Sequence, residues 1–323
     1  MTYTPTPQEP IGSGFDRHTT ADEVLAGIDL TGRTALVTGG YSGIGLETTR
    51  ALAKAGAAVI VPARRPETAA EALAGIDGVT VETLDLGDLT SVEAFADRIL
   101  ASGVVLDMVI DSAGIMACPE TRVGPGWEAQ LATNHLGHFA MVNRLWPALA
   151  PGARVVSVSS MGHLSSPIRW DDLMFESGYE KWTAYGQAKT ANVLFAVHLD
   201  RLGQTHERGK GVRAFALHPG GILTPLQRHL PREEQVAMGW FDEDGTPRAE
   251  FKTPEQGAAT QVWAATSPQL EGKGGVYCED VDVAVSYVED GARRGVRDWA
   301  TDPEQAARLW QVSAELTGVD AFA

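Results

Sequence analysis

Apolar residues recur along the chain in two alternating rhythms. Short runs are nearly continuous in apolar and β-branched residues: RTALVT (33–38), AVIVP (58–62), VTVETLDL (79–86), LDMVIDSAG (106–114), ARVVSVSS (153–160) and VRAFALHPG (212–220). Runs of this kind are strands buried on both faces. Between them lie amphipathic stretches of helical period: GLETTRALAKAGA (45–57), ETAAEALAGI (67–76), LTSVEAFADRILAS (89–102), a long helix from Trp127 to Leu149, and a helix through Tyr185 that ends near Leu202. Strand–helix alternation predicts an α/β fold, with a doubly wound parallel sheet of about seven strands covered by helices on both faces.

The departures from this rhythm divide the chain. Residues 1–30 read as a loose arm followed by a short helix from Thr20 to Gly27, with Thr20 available as its cap. Residues 31–323 read as one domain. Within it the stretch from Leu223 to Lys252 has no place in the sheet and contains Pro225, Pro231, Gly239, Gly245 and Pro247. A long irregular insertion in a compact domain is usually functional, and this one is predicted to be a lid. A helix (253–266), a short strand near GGVYC (274–278) and a helix from Asp302 to Leu316 complete the pattern.

Composition narrows the function. The chain has 323 residues, of which 44% are hydrophobic and 21% charged, and a formal net charge of −16. Nucleic acid and anionic membranes would repel it, so neither is expected as a partner. No apolar run approaches the ~20 residues of a membrane span. The polar, Pro-rich start lacks the features of a signal peptide. The two cysteines, Cys118 and Cys278, form no metal-spacing motif. A cytoplasmic location is expected.

The candidate chemistry begins at VTGGYSGIG (37–45), which follows a strand and opens a helix. Gly39 permits a sharp turn, Gly43 a close backbone approach to a pyrophosphate, and Gly45 close packing of helix on strand. Tyr41, Ser42 and Ile44 complete the loop, and the helix N-terminus offers unpaired N–H groups to phosphates. The sheet is therefore expected to be of Rossmann type. The spacing Thr38, Gly39, Gly43, Gly45 resembles the short-chain dehydrogenase/reductase family, and the resemblance extends from about Gly32 to Gly318.

The second strand ends in PARRPE. Ala63 stands where an NAD enzyme carries a carboxylate, and Arg64 and Arg65 follow. An arginine there suits a 2′-phosphate, so NADP(H) is expected in preference to NAD(H). The resemblance further implies that Asp85 and Leu86 border the adenine. Ser112, Ala113 and Gly114 then border its ribose. Asp111 and Ser112 depart from the two asparagines of the family pattern. In HPGGILTPL (218–226), Pro219, Gly220, Ile222 and Thr224 are implied to hold the nicotinamide.

Tyr185 and Lys189 stand four residues apart in AYGQAK and share a helix face. A lysine ammonium ~4 Å away is worth about 4 kcal/mol at an effective dielectric near ~20, which would pull the phenol's pKa from ~10 toward neutrality. Ser160 ends a strand where ligands of parallel sheets bind, and the long interval to Tyr185 resembles the retinol-dehydrogenase-like branch of the family. Ser159 should face the other way. By the resemblance, Asn134 in TNHLGHF completes a tetrad with Ser160, Tyr185 and Lys189, and would hold a water that links Lys189 to solvent. His135 and His138 flank it without a third metal ligand, so no metal is expected.

The predicted reaction is hydride transfer between the nicotinamide and a carbonyl or alcohol carbon of a largely hydrophobic small molecule. Met116, His163, Trp170, Tyr179, Trp182, Leu226, Met238 and Trp240 are the candidate pocket residues. Two further readings stay open: C=C or C=N reduction or epimerisation on the same scaffold, and a regulatory NADP-binding protein without chemistry. The resemblance also allows a homo-oligomer through the two long helices.

Overall fold

A computed structural model describes residues 3–242, 244–248, 250–289 and 294–323; residues 243 and 249 of the expected lid lie outside it. The strands are β1 (Thr34–Val37), β2 (Ala58–Ala63), β3 (Val79–Thr83), β4 (Leu106–Asp111), β5 (Arg122–Val123), β6 (Trp127–Glu128), β7 (Leu149–Val158), β8 (Arg213–His218), β9 (Val276–Glu279) and β10 (Asp282–Val283). The helices are α1 (Ala21–Val24), α2 (Gly43–Lys54), α3 (Pro66–Ala72), α4 (Leu89–Ser102), α5 (Ala129–Leu131), α6 (Gly137–Arg144), α7 (Lys181–Thr205), α8 (Arg232–Ala237), α9 (Pro254–Thr266), α10 (Asp298–Thr301) and α11 (Pro303–Thr317).

Eight strands form one sheet in the order β10-β9-β8-β7-β4-β1-β2-β3. All neighbours are parallel except β10 on β9. The order reverses at β1, which pairs with β2 on one side and β4 on the other. This is the switch point at which a doubly wound sheet opens a crevice beyond its strand ends. One sheet face packs on Phe95, Phe139, Val193 and Phe195 of α4, α6 and α7. The other packs on Leu52, Val262 and Trp263 of α2 and α9.

The long helix expected from Trp127 to Leu149 is broken at both ends. Trp127 and Glu128 pair with Arg122 and Val123 in a hairpin. Helix begins only after Glu128, whose carboxylate accepts the N–H groups of Gln130 and Leu131. A π-helical turn, Ala132–Leu136, joins α5 to α6. Pro147 has no N–H to continue the ladder, and α6 stops at Arg144.

The arm is not loose. Gln8 Nε2 donates to the carbonyls of Tyr277 and Ala284, and its Oε1 accepts the Tyr277 N–H. Tyr3 donates to Asp200, and the N–H groups of Ile11, Gly12 and Ser13 bond Asp282. The arm thus closes polar backbone groups at the β9–β10 edge of the sheet. At the other end of the chain, α11 packs on α7 and α6. Its Trp310 stacks on Phe195 at 5.9 Å and meets Phe139 edge-on at 4.8 Å. The helix pair through which association was expected is therefore covered by the chain's own C-terminal helix. Among the described residues no helix is long and apolar enough to cross a membrane.

Candidate active site

A cleft of about 720 Å³ opens over the carboxyl ends of the central strands. It is lined by every residue expected to contact the cofactor: Gly39, Tyr41, Ser42, Gly43, Ile44, Gly45, Arg64, Asp85, Leu86, Ser112, Ala113, Gly114, Tyr185, Lys189, Pro219, Gly220, Ile222 and Thr224. Its volume lies in the usual range for ligand sites. Gly39 and Gly43 have φ of +68° and +54°, conformations glycine adopts without strain. A β-carbon on Gly45 would lie 2.4 Å from the Gly39 carbonyl oxygen, so helix and turn can approach only if it is absent. Ser42 caps α2 without a side-chain hydrogen bond, which leaves the first N–H groups of that helix facing the cleft.

At one end of the cleft Arg64 and Arg65 are exposed beyond β2, with Ala63 buried behind them. Asp85 is held by the Gly87 N–H at 2.9 Å. The buried Ser112 hydroxyl has no partner among the described residues, an orphan that a ligand hydroxyl would satisfy. Together, the unpaired helix N-terminus, the glycine cradle and this hydroxyl fit a phosphorylated dinucleotide. Asp111, where the family pattern has asparagine, is buried with both oxygens unpartnered. Burial holds its carboxyl well above the usual carboxylate range.

At the other end α7 presents Tyr185 and Lys189, both buried. Lys189 Nζ donates to the Val158 carbonyl at 2.8 Å and lies 5.6 Å from the centre of the Tyr185 ring. Burial opposes the expected lowering of the phenol's pKa. Burial pushes Tyr185 up to about 12, with the Ser160 hydroxyl working the other way. Burial also lowers Lys189 to about 7. Desolvation disfavours both charged forms. Ser160 follows β7 and accepts the Gly162 N–H at 3.0 Å. Ser159 also borders the cleft, and its hydroxyl donates to the Lys189 carbonyl at 2.7 Å.

Asn134 lies in the π-helical turn, the irregularity that helix propensity alone did not reveal. Its amide accepts the Ile115 N–H and donates to the Ile115 carbonyl, both at 2.9 Å. Its own carbonyl is taken by Asn192 Nδ2 and His138 Nδ1. The side chain is thus a strap on the segment leaving β4. His135 bonds Ser313 and His138 bonds Thr38. Among the described residues no group of three or more potential metal ligands occurs.

Of the expected pocket residues, Met116, Trp182, Leu226, Met238 and Trp240 line the cleft. Trp182 meets Tyr185 and Trp240 edge-on, each at 6.3 Å. Its indole N–H donates to Glu234 of α8, which also pairs with Lys181 at 2.6 Å. These bonds tie α8 to the start of α7. The other three pocket residues lie elsewhere. Trp170 bonds Gln305 and packs under Arg308 of α11. Tyr179 donates to the Cys118 carbonyl and accepts from Gln130, away from the cleft. His163 is wholly buried behind Ser160. Each is an aromatic ring with a polar tip, a type that fills either a core or a pocket, and sequence does not separate the two. Sequence reasoning missed His218 and Phe251 in the cleft wall. His218 was findable, because it immediately precedes Pro219.

Comparison with known proteins agrees with this architecture. The family model "short chain dehydrogenase" matches residues 33–235. A probable oxidoreductase of Streptomyces lividans is 48% identical over 301 residues, covering 89% of this chain and 98% of that protein. Mouse retinol dehydrogenase 12 is 35% identical, covering 90% and 88%. A solved structure of an uncharacterised protein from Mycobacterium Paratuberculosis superposes with a TM-score of 0.72 at 34% identity, covering 95% of this chain and 99% of that one. The glycine cradle, the Ser160–Tyr185–Lys189 grouping and these likenesses lead to one conclusion: the chain belongs to the short-chain dehydrogenase/reductase family of oxidoreductases, in its retinol-dehydrogenase-like branch.

Proposed function

We propose that the protein is an NADP(H)-dependent oxidoreductase that interconverts a carbonyl and an alcohol on an extended hydrophobic or aromatic small molecule. The observation that carries this reading is one cleft with Arg64 and Arg65 at one end and Ser160, Tyr185 and Lys189 at the other. The arginines suit a 2′-phosphate, and no carboxylate stands at Ala63 to oppose it. The bound dinucleotide would supply the hydride.

The chain's own residues supply geometry and the proton. Ser160 Oγ accepts the Gly162 N–H, and its hydroxyl hydrogen can donate to a substrate carbonyl oxygen. Tyr185, pushed up to about 12, stays a phenol at neutral pH and can donate its proton to that oxygen. Lys189 is fixed by Val158 beside the phenol, near the place of the nicotinamide ribose. Asn134 fixes Ile115 and, through it, the wall at Met116. Trp182, Trp240, Leu226 and Met238 make the remaining wall mostly apolar, which suits an extended hydrophobic substrate.

The test is a panel of ketones, aldehydes, alcohols, enones and imines assayed with NADPH and NADH side by side. Turnover of carbonyls with NADPH, lost in Tyr185→Phe while NADPH still binds, supports the reading. Rates with NADH equal to or better than those with NADPH would remove the role given to Arg64. Cofactor binding without turnover of any class would favour a regulatory protein.

A further inference from the structure

The peptide unit joining Ser160 to Met161 is held on both edges by imidazoles. Its carbonyl, that of Ser160, lies 2.7 Å from His163 Nδ1. Its N–H, that of Met161, donates to His218 Nδ1 at 3.3 Å. We propose that His163 and His218 are positioning residues of the catalytic serine, a pair of neutral imidazoles of opposite tautomer that fix the 160–161 peptide plane. The proposal rests on the reading of Ser160 as the residue that binds the substrate oxygen.

The tautomers follow from the partners. His163 Nε2 receives the Arg297 N–H at 3.4 Å, so it carries no proton; Nδ1 must carry it and donate to Ser160. His218 Nδ1 receives the Met161 N–H, so its proton resides on Nε2. Each ring would lose its backbone bond on adopting the other tautomer. Burial keeps both unprotonated at neutral pH, His163 near 4 and His218 near 3.

The clamp answers a local need. The β7–β8 ladder ends with Val158 opposite Leu217, and Ser159 makes the last backbone bond to Leu217. Beyond it, the one backbone bond to the Ser160 carbonyl among the described residues is the 3₁₀-type bond from the His163 N–H at 3.1 Å. A rotation of that peptide would swing the Ser160 hydroxyl and also move Gly162 against the Tyr185 ring. His163 is wholly buried and lines no part of the cleft. Its effect on turnover must therefore pass through the turn. Tyr277, whose ring lies 4.9 Å from that of His163 and whose hydroxyl lies 3.4 Å from Nδ1, backs it from β9.

The decisive comparison is His163→Asn against His163→Gln in the full chain. Asparagine returns an N–H near the Nδ1 position, whereas glutamine carries its amide to the Nε2 position. The expected result is a kcat for His163→Asn within a few-fold of the parent, and for His163→Gln about ten- to a hundredfold lower. KM for the carbonyl and Kd for NADPH should be little changed in both. Equal kcat in the two variants, or an effect confined to KM, overturns the proposal. Should neither His163 variant fold, the same comparison at His218 decides, because asparagine there returns an acceptor for Met161 and glutamine does not. Ser160→Ala separates the two levels of argument. If it retains turnover, the reading of the site fails. If it loses turnover and the Asn and Gln variants remain equal, only the clamp fails.

Discussion

A β-carbon on Gly162 would lie 2.8 Å from both Cδ1 and Cε1 of Tyr185. The turn that carries Ser160 thus presses its bare backbone against the ring of Tyr185, the proposed proton donor. Gly162→Ala must shift either the turn or the phenol, and a displacement of ~1 Å at a reacting group can cost about a hundredfold in rate. Steady-state kinetics should show kcat for carbonyl reduction at least about tenfold lower, with NADPH affinity unchanged. An unchanged kcat would mean that the ring is not held in place by this contact.

Asp111 should make the protein less stable as pH rises. Its folded pKa is raised, so above the ordinary carboxylate range near ~3.9 the folded form retains a proton that the unfolded form releases. That cost starts above ~pH 4 and grows until the folded pKa is reached. Asp111→Asn keeps the shape and removes the ionisation. Thermal unfolding of the variant should show a higher Tm than the parent at pH 8, with the gain shrinking toward pH 4. A constant difference across that range would show that Asp111 is not a buried neutral acid.

Buried histidines act in the opposite sense. Burial lowers His135 to about 3 and His138, His163 and His198 to about 4. Unfolded histidine takes up a proton below ~6.5, so stability is intact above that value and falls as pH drops toward ~4. Asp111 and Asp200, both raised by burial, oppose part of this slope. Tm should decline between pH 7 and pH 4.5. A flat profile would indicate that these rings titrate inside the folded protein.

Trp310 should be a principal support of the C-terminal half. It is buried among Phe139, Phe195 and Phe322. Removing such a ring typically costs ~3–5 kcal/mol, and denaturant titration of Trp310→Ala should show a loss of that size. With α11 in place on α6 and α7, light scattering should report a monomer. A stable dimer would require a surface other than this helix pair.

Much of this was legible from residue order because it depends on local rules. The parallel sheet followed from continuous apolar strands, and the dinucleotide cradle from the spacing of Gly39, Gly43 and Gly45. Lys189 four residues after Tyr185 had to share its helix face. Other features follow long-range contacts that no window of sequence contains. The break of the long helix depends on how Glu128 caps it, and the anchoring of the arm on where Tyr277 and Asp282 happen to lie.

Sequence by itself determined the fold class and the family, and it pointed to the glycine cradle and to the Ser160, Tyr185 and Lys189 group that the structure brings to one cleft. Those properties reside in periodicity and in residues whose neighbours are fixed by the helix or strand that carries them. Only the tertiary structure decided the burial of Tyr185 and Lys189, the burial of His163 behind Ser160 instead of in the pocket, and the covering of α6 and α7 by α11. The reason is common to all three. Desolvation and packing are set by what every other part of the chain brings to a point in space, and a lysine four residues away counts for less than the apolar shell that closes over both groups.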